Sequence, residues 1–186
     1  MTPREFLPFY AAFLVIATAE RTVSTFFSGR PPLPLPALKT SSRRIFRILF
    51  ISYLVIVALS ITEFFVKLPR INPGLSLAGF LIFLGGVYLR RKAMKDLGAN
   101  WSMGTEIKAG HELVTSGIYR WVKHPYYCAV VLELLGVCLI AHSFVSLIPV
   151  FAVQGPLLAI RIKDEEELLA GHFGGEYRAY SKARKI

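Results

Sequence analysis

Ile45-Phe46-Arg47-Ile48-Leu49-Phe50-Ile51-Ser52-Tyr53-Leu54-Val55-Ile56-Val57-Ala58-Leu59-Ser60-Ile61-Thr62-Glu63-Phe64-Phe65-Val66 carries no charge between Ile48 and Ile61. A helix needs about 20 predominantly apolar residues to cross the hydrocarbon core of a bilayer. This stretch meets that length, and its apolar residues form a block rather than an amphipathic stripe. It predicts a membrane span.

Four more apolar runs flank it. The first, Phe6 to Phe27, resumes at Val23 after Glu20 and Arg21. Its Ala17-Thr18-Ala19 has the small-x-small pattern of a signal-peptide cleavage site, but the resumed run favours a retained span. Leu75 to Leu89 follows the Asn72-Pro73-Gly74 turn signal and precedes Arg90-Arg91-Lys92. Its Gly85-Gly86 pair suits close helix packing. Tyr126 to Ala141 and Phe144 to Ile160 are joined by His142-Ser143 alone, which predicts a tight antiparallel hairpin. Pro149 and Pro156 predict a kink in its second arm. Glu133 lies within the fourth run, where a charge costs about 2.5–3.5 kcal/mol on insertion scales. It should face the bundle or a cavity, and it is a candidate substrate-binding residue.

Composition agrees with a membrane class. Of 186 residues, 54% are apolar and 18% charged, against about 25% charged in a soluble domain. The net charge of +10 gathers between apolar blocks, so it reads as loop charge and not as a nucleic-acid surface. Arg30, Lys39, Arg43 and Arg44 follow the first span, and Arg90, Arg91, Lys92 and Lys95 follow the third; only Lys67 and Arg70 separate the second from the third. The positive-inside rule then puts the first of these loops, the segment after Arg90 and the C-terminus in the cytosol. Pro31 to Pro36 reads as a stiff connector. Cys128 and Cys138, about 15 Å apart along a helix, read as free thiols.

The expectation is therefore an all-α integral membrane protein of about five transmembrane helices. Residues 1–91 form spans one to three. Residues 92–186 form a second unit: a cytosolic connector (92–124), the helical hairpin (125–160) and a C-terminal amphipathic helix (161–186). In that last helix Leu169, Phe173, Tyr177 and Tyr180 recur near helical spacing.

Polar groups crowd two places beside the last spans. His111-x-Leu113-Val114, Gly117-Ile118-Tyr119 and Lys123-His124-Pro125-x-Tyr127 form one stretch. Arg161-x-x-x-Glu165-Glu166-Glu167-Leu168 and Phe173-Gly174-Gly175-Glu176-Tyr177-x-x-Tyr180 form the other, with Leu97-Gly98-Ala99-Asn100-Trp101-Ser102 upstream. Together, in this order and spacing, they resemble the isoprenylcysteine carboxyl methyltransferase family, itself similar to phospholipid methyltransferases. The resemblance implies a cofactor, S-adenosyl-L-methionine, with S-adenosyl-L-homocysteine as product. It implies that His111, Glu112, Leu113, Val114, Tyr119, His124, Pro125, Tyr126, Tyr127 and Glu165 line that cofactor. Arg161 is the implied catalytic residue, holding the reacting group of the substrate. Lys123 stands where arginine is common before His-Pro, which keeps the charge without the planar fork.

The chemistry of the residues is compatible with those roles. Aromatic faces favour a sulfonium, Glu165 can receive an amino group, and Arg161 can grip both oxygens of a carboxylate. Arg161 and Glu165, four residues apart, share one helical face. A carboxylate acceptor is already ionised and needs no base, whereas a hydroxyl acceptor would call on His111, His124 or Glu165. The partners expected are a lipophilic substrate entering from the bilayer and membrane lipids, with no nucleic acid. Alternatives are a long-chain phenol or pyrone, a phospholipid amine, or a non-catalytic binding module. Glu166 and Glu167 read as a solvated face, and His142 and His172 as ordinary loop residues. Without a His-x-x-x-His or Cys-x-x-Cys no metal site is expected, and no oligomer interface is implied.

Overall fold

The computed structural model describes residues 1–26, 41–101 and 112–184, with side chains left aside at 25, 26 and 41–43. Among these the chain is all-helical. Three long helices, α1 (Pro3–Phe26), α2 (Ser41–Lys67) and α3 (Pro73–Leu97), precede a shorter α4 (Pro125–Ile140). Then come one turn of helix, α5 (Leu147–Pro149), a π-helical turn (Val150–Gln154), α6 (Gly155–Phe173) and α7 (Gly175–Lys182). Stretches within 3–24, 44–67 and 73–100 are long and apolar enough to cross a membrane, as a multi-pass membrane protein requires. The 16 residues of α4 make a rod of about 24 Å. The segments 27–40 and 102–111, with the Pro31–Pro36 connector and most of the Arg30–Arg44 loop, lie outside the described residues.

Local chemistry sets the ends. Asn72 caps α3, its Oδ1 accepting from the N–H groups of Gly74 and Leu75 at 3.0 and 3.4 Å, while Pro73 takes a position where a missing N–H does no harm. Gly98, at φ +53°, closes the same helix by donating to the Met94 carbonyl. The expected end at Leu89 thus falls short, because nothing between Arg90 and Leu97 breaks a helix.

The sequence places a hairpin after Tyr126, and the structure gives α4 a closer partner. It packs along α3, through glycines on both helices. A methyl added to Gly79 would lie 2.8 Å from the Ile140 nitrogen, one on Gly86 2.9 Å from Glu133 Cγ, and one on Gly136 2.7 Å from Phe83 Cβ. Gly86 therefore performs the close packing expected of it, while Gly85 faces open space.

Between Pro149 and Pro156, where the proline N–H groups are missing, the helix takes a π turn in place of regular α-helical bonding. Within it Gln154 is buried and accepts from the Ser52 hydroxyl at 2.6 Å, which docks this segment on α2. Leu49, Tyr53, Ile56, Val130, Leu134, Cys138, Val150 and Leu158 form one core cluster there. Toward the other end of the bundle, Phe6, Tyr10, Phe64, Ile71, Phe83, Val137 and Ile140 form a second.

One boundary moves. Helix α6 runs unbroken across Ile160–Arg161, where the sequence reading starts a new helix. The break lies at Gly174, φ +56°, whose N–H donates to Ala170. Both cysteines are free.

Candidate active site

The connector after Glu112 is pinned to the end of α3. Gly117 sits at φ +59°, and a Cβ there would collide with the Asp96 carboxylate, so glycine lets the chain pass close enough for Ile118 N–H to donate to Asp96 Oδ2 at 2.7 Å. That contact places the 3-10 turn Gly117–Arg120, and with it Tyr119, which is buried. The Tyr119 carbonyl accepts from the Tyr180 hydroxyl at 2.8 Å, which ties α7 to the connector.

Lys123 and His124 follow, and both reach α6. Lys123 Nζ donates to Glu166 Oε1 at 2.8 Å, and His124 Nε2 lies 3.1 Å from the same oxygen. Burial alone would raise the Glu166 pKa, but the hydrogen bonds and charge of Lys123 and His124 outweigh it and hold the carboxyl below its ordinary range. The solvated face assigned to Glu166 is corrected here, since the Lys123–His124 pair needs an acidic partner. Glu167 is exposed, as expected.

Pro125, fully buried, starts α4 and delivers two tyrosines. The Tyr127 hydroxyl donates to Glu165 Oε2 at 2.5 Å and accepts from Arg161 Nε at 3.2 Å. Arg161 and Glu165, one helical turn apart, thus converge on a single oxygen, with Arg161 only 3% exposed. Tyr126 meets the edge of Tyr127 with ring centroids 5.8 Å apart and tilts against Trp101 at 4.8 Å. Tyr177 and Tyr180 close the cluster from α7. Burial, then the Glu165 charge, raises the pKa of Tyr119; burial, then Glu166 and Glu165, raises that of Tyr177. Both phenols stay protonated. The Tyr177 hydroxyl is buried and without a hydrogen-bond partner among the described residues.

The structure brings Tyr119, His124, Pro125, Tyr126, Tyr127, Arg161 and Glu165 to one end of the bundle. Leu113 and Val114 are half-buried in the connector leading to it. Glu112 is exposed, and its carbonyl accepts from Asn100. His111 lies outside the described residues.

Glu133 belongs to a second cluster, which links α1, α3 and α4 inside the bundle. Its carboxylate takes Arg21 Nη1 at 2.5 Å and Arg90 Nε at 2.7 Å, with the Tyr53 hydroxyl at 3.5 Å. Arg90 also donates to Ser24 and Glu20, and Arg91 pairs with Glu20 at 2.8 Å. Arg90, read from sequence as a loop charge, is therefore fully buried; two carboxylates compensate it. The guanidinium of Arg21 lies 4.4 Å from the Tyr53 ring centroid and 6.0 Å from that of Tyr126, so the two clusters meet at Tyr126. Beside them, a cleft of about 660 Å³ opens between Glu20, Ser24, Met94, Lys95 and Trp101, within the usual range of ligand sites.

Comparison with known proteins follows the same half of the chain. Residues 77–171 match the family described as isoprenylcysteine carboxyl methyltransferase. The chain is 36% identical over 109 residues to the protein-S-isoprenylcysteine O-methyltransferase of Schizosaccharomyces pombe, covering 58% of this chain and 45% of that protein. It is 34% identical over 88 residues to the uncharacterized Bacillus subtilis protein YpbQ, covering 47% and 52%. To the Xenopus laevis protein-S-isoprenylcysteine O-methyltransferase it is 32% identical over 110 residues, covering 58% and 38%. The chain thus spans about half or less of the length of these relatives.

Proposed function

The chain belongs to the isoprenylcysteine carboxyl methyltransferase family, and from that premise we propose that it methylates the carboxylate of a lipophilic, isoprenylcysteine-type acceptor at the membrane, with S-adenosyl-L-methionine as donor. The observation that carries this reading is the Tyr127 hydroxyl, hydrogen-bonded to both Arg161 and Glu165. It gives an anion-binding guanidinium and a cation-binding carboxylate a fixed separation inside an aromatic enclosure.

The residues present fit the donor. Glu165 would take its amino group, the rings of Tyr119, Tyr126 and Tyr127 would face its cationic sulfur, and the Tyr177 hydroxyl, without a partner among the described residues, offers one further polar contact. His124 and Pro125, with Leu113 and Val114, would complete the wall, as would His111 and Glu112 from the connector. Bound there, S-adenosyl-L-methionine supplies an electrophilic methyl group on sulfur.

The remaining work falls to the protein. An acceptor carboxylate is ionised at neutral pH, so no side chain has to remove a proton. Arg161, oriented through its Nε by Tyr127, can bind both carboxylate oxygens and aim one of them along the displacement axis. Lys123 and His124, clamped on Glu166, hold the connector against α6 and keep water from the reacting pair. The cleft beside Trp101 would receive the acceptor, its lipophilic part against Val23, Met94 and Trp101 and its anionic end toward Arg91 and Lys95, and the reaction end of the bundle faces the cytosol.

The test is transfer of a tritiated methyl group to prenylcysteine, phospholipid and alkyl-phenol acceptors. The proposal expects product with prenylcysteine alone, and loss of turnover in Arg161→Ala with S-adenosyl-L-homocysteine still bound. Product with another acceptor that persists in Arg161→Ala would overturn it.

A further inference from the structure

Arg21 comes from the first span, outside the stretch 77–171 that matches the family. It is buried, and its Nη1 is pinned to the Glu133 carboxylate, itself held by Arg90. A guanidinium is planar and packs on aromatic faces, and the Nη1 contact with Glu133 keeps that of Arg21 beside the neighbouring rings. Here it lies over Tyr53 at 4.4 Å and within reach of Tyr126 at 6.0 Å, the outer range of a cation–π contact. Tyr126 has Trp101, a wall of the cleft between α1 and α3, on one side and Tyr127 on the other. Tyr127 is the residue whose hydroxyl joins Arg161 to Glu165.

We propose that Arg21 is a positioning residue for the acceptor: anchored by Glu133, it holds the Tyr126 ring against Trp101 and so shapes the wall between the acceptor cleft and the Arg161 centre. Glu133 then acts as the anchor of Arg21 and Arg90 and not as a ligand of the substrate. The inference rests on the proposed methyl transfer for its kinetic consequence, but its geometric part stands without it.

The variant Arg21→Lys separates charge from plane. It keeps a cation opposite Glu133, so the bundle retains its charge balance, and it removes the flat group over the rings. The chain holds two tryptophans, and Trp121 is exposed and stacked on Arg120 away from this contact. In a Trp121→Phe background the emission comes from Trp101 alone, whose ring packs on Tyr126, and it is read whether or not any acceptor is turned over.

Three results are expected of Arg21→Lys: a red-shifted Trp101 emission, an acceptor KM raised about tenfold (tenfold corresponds to about 1.4 kcal/mol), and an affinity for S-adenosyl-L-homocysteine by calorimetry that falls by much less than the acceptor KM rises, since Tyr119, Tyr127 and Glu165 still hold the donor. Tyr126→Leu should raise the same KM, and the double variant should do no worse than either alone. Wild-type emission and KM in Arg21→Lys would overturn the proposal. So would a fall in S-adenosyl-L-homocysteine affinity as large as the rise in acceptor KM, which marks a general structural role. If no acceptor is methylated by the unaltered protein, the functional reading fails, and the emission still decides whether Arg21 positions Tyr126.

Discussion

Glu133→Gln removes one negative charge from a cluster in which three guanidinium groups, Arg21, Arg90 and Arg91, share two carboxylates, Glu20 and Glu133. The amide that replaces it has one oxygen to accept with, and its NH₂ group confronts whichever arginine loses its partner. Two buried cations, Arg21 and Arg90, and the exposed Arg91 then face a single carboxylate. Removing one member of a buried pair typically costs about 3–5 kcal/mol. For a chain of this length each kcal/mol lowers Tm by about 2–4 °C, so the expected loss is roughly 6–20 °C. Arg21→Met in the Glu133→Gln background takes away the cation that has been stranded, and it should cost far less than Arg21→Met in the parent. Heating the four proteins of this cycle in detergent and following monodisperse protein by size-exclusion fluorescence gives the comparison. A Glu133→Gln protein within about 2 °C of the parent, or losses that simply add, would refute the charge accounting.

Other outcomes follow from single contacts. Tyr127→Phe deletes the oxygen between Arg161 and Glu165; hydrogen bonds to charged groups are worth about 1.5–3 kcal/mol, so kcat/KM in the methyl-transfer assay should fall by roughly 10- to 150-fold. Glu166 has its carboxyl pKa depressed in the folded protein, so its stabilisation is complete above the unfolded value near 4.3 and is lost as pH falls through the lower folded value. Thermal stability between roughly pH 5 and 3 should therefore drop less steeply in Glu166→Gln than in the parent. Gly136→Ala, whose methyl would meet Phe83 Cβ at 2.7 Å, should destabilise by about 1–3 kcal/mol. Gly85→Ala meets nothing and should be neutral or stabilising by up to about 1 kcal/mol; equal Tm shifts for the two would count against the α3–α4 seam.

The spans were legible because apolar length is a one-dimensional property, and Ile48 to Ile61 declares itself without any partner. Helix ends were less so. Leu89 looked final because three cations follow it, and only the fold brings Glu20 and Glu133 to Arg90 and Arg91 and lets α3 run on to Leu97. Similarly, spacing put Arg161 and Glu165 on one face, but it is silent about Tyr127, 34 residues earlier than Arg161, which both of them meet. Glu166 was hidden by its neighbours: in a run of three glutamates, which one is solvated depends on where Lys123 and His124 arrive.

The clasp of α7 on the connector has a practical meaning. Tyr180 and Arg184 hold the carbonyls of Tyr119 and Arg120, and Gly174 is the swivel on which that clasp turns. A protease nick at Gly174–Gly175 would leave every span uncut and the detergent-solubilised body intact, yet release the connector at Tyr119 and Arg120 from α7. Loss of the last ten or so residues is thus better judged by ligand capture than by yield or oligomeric homogeneity, which would report a sound protein.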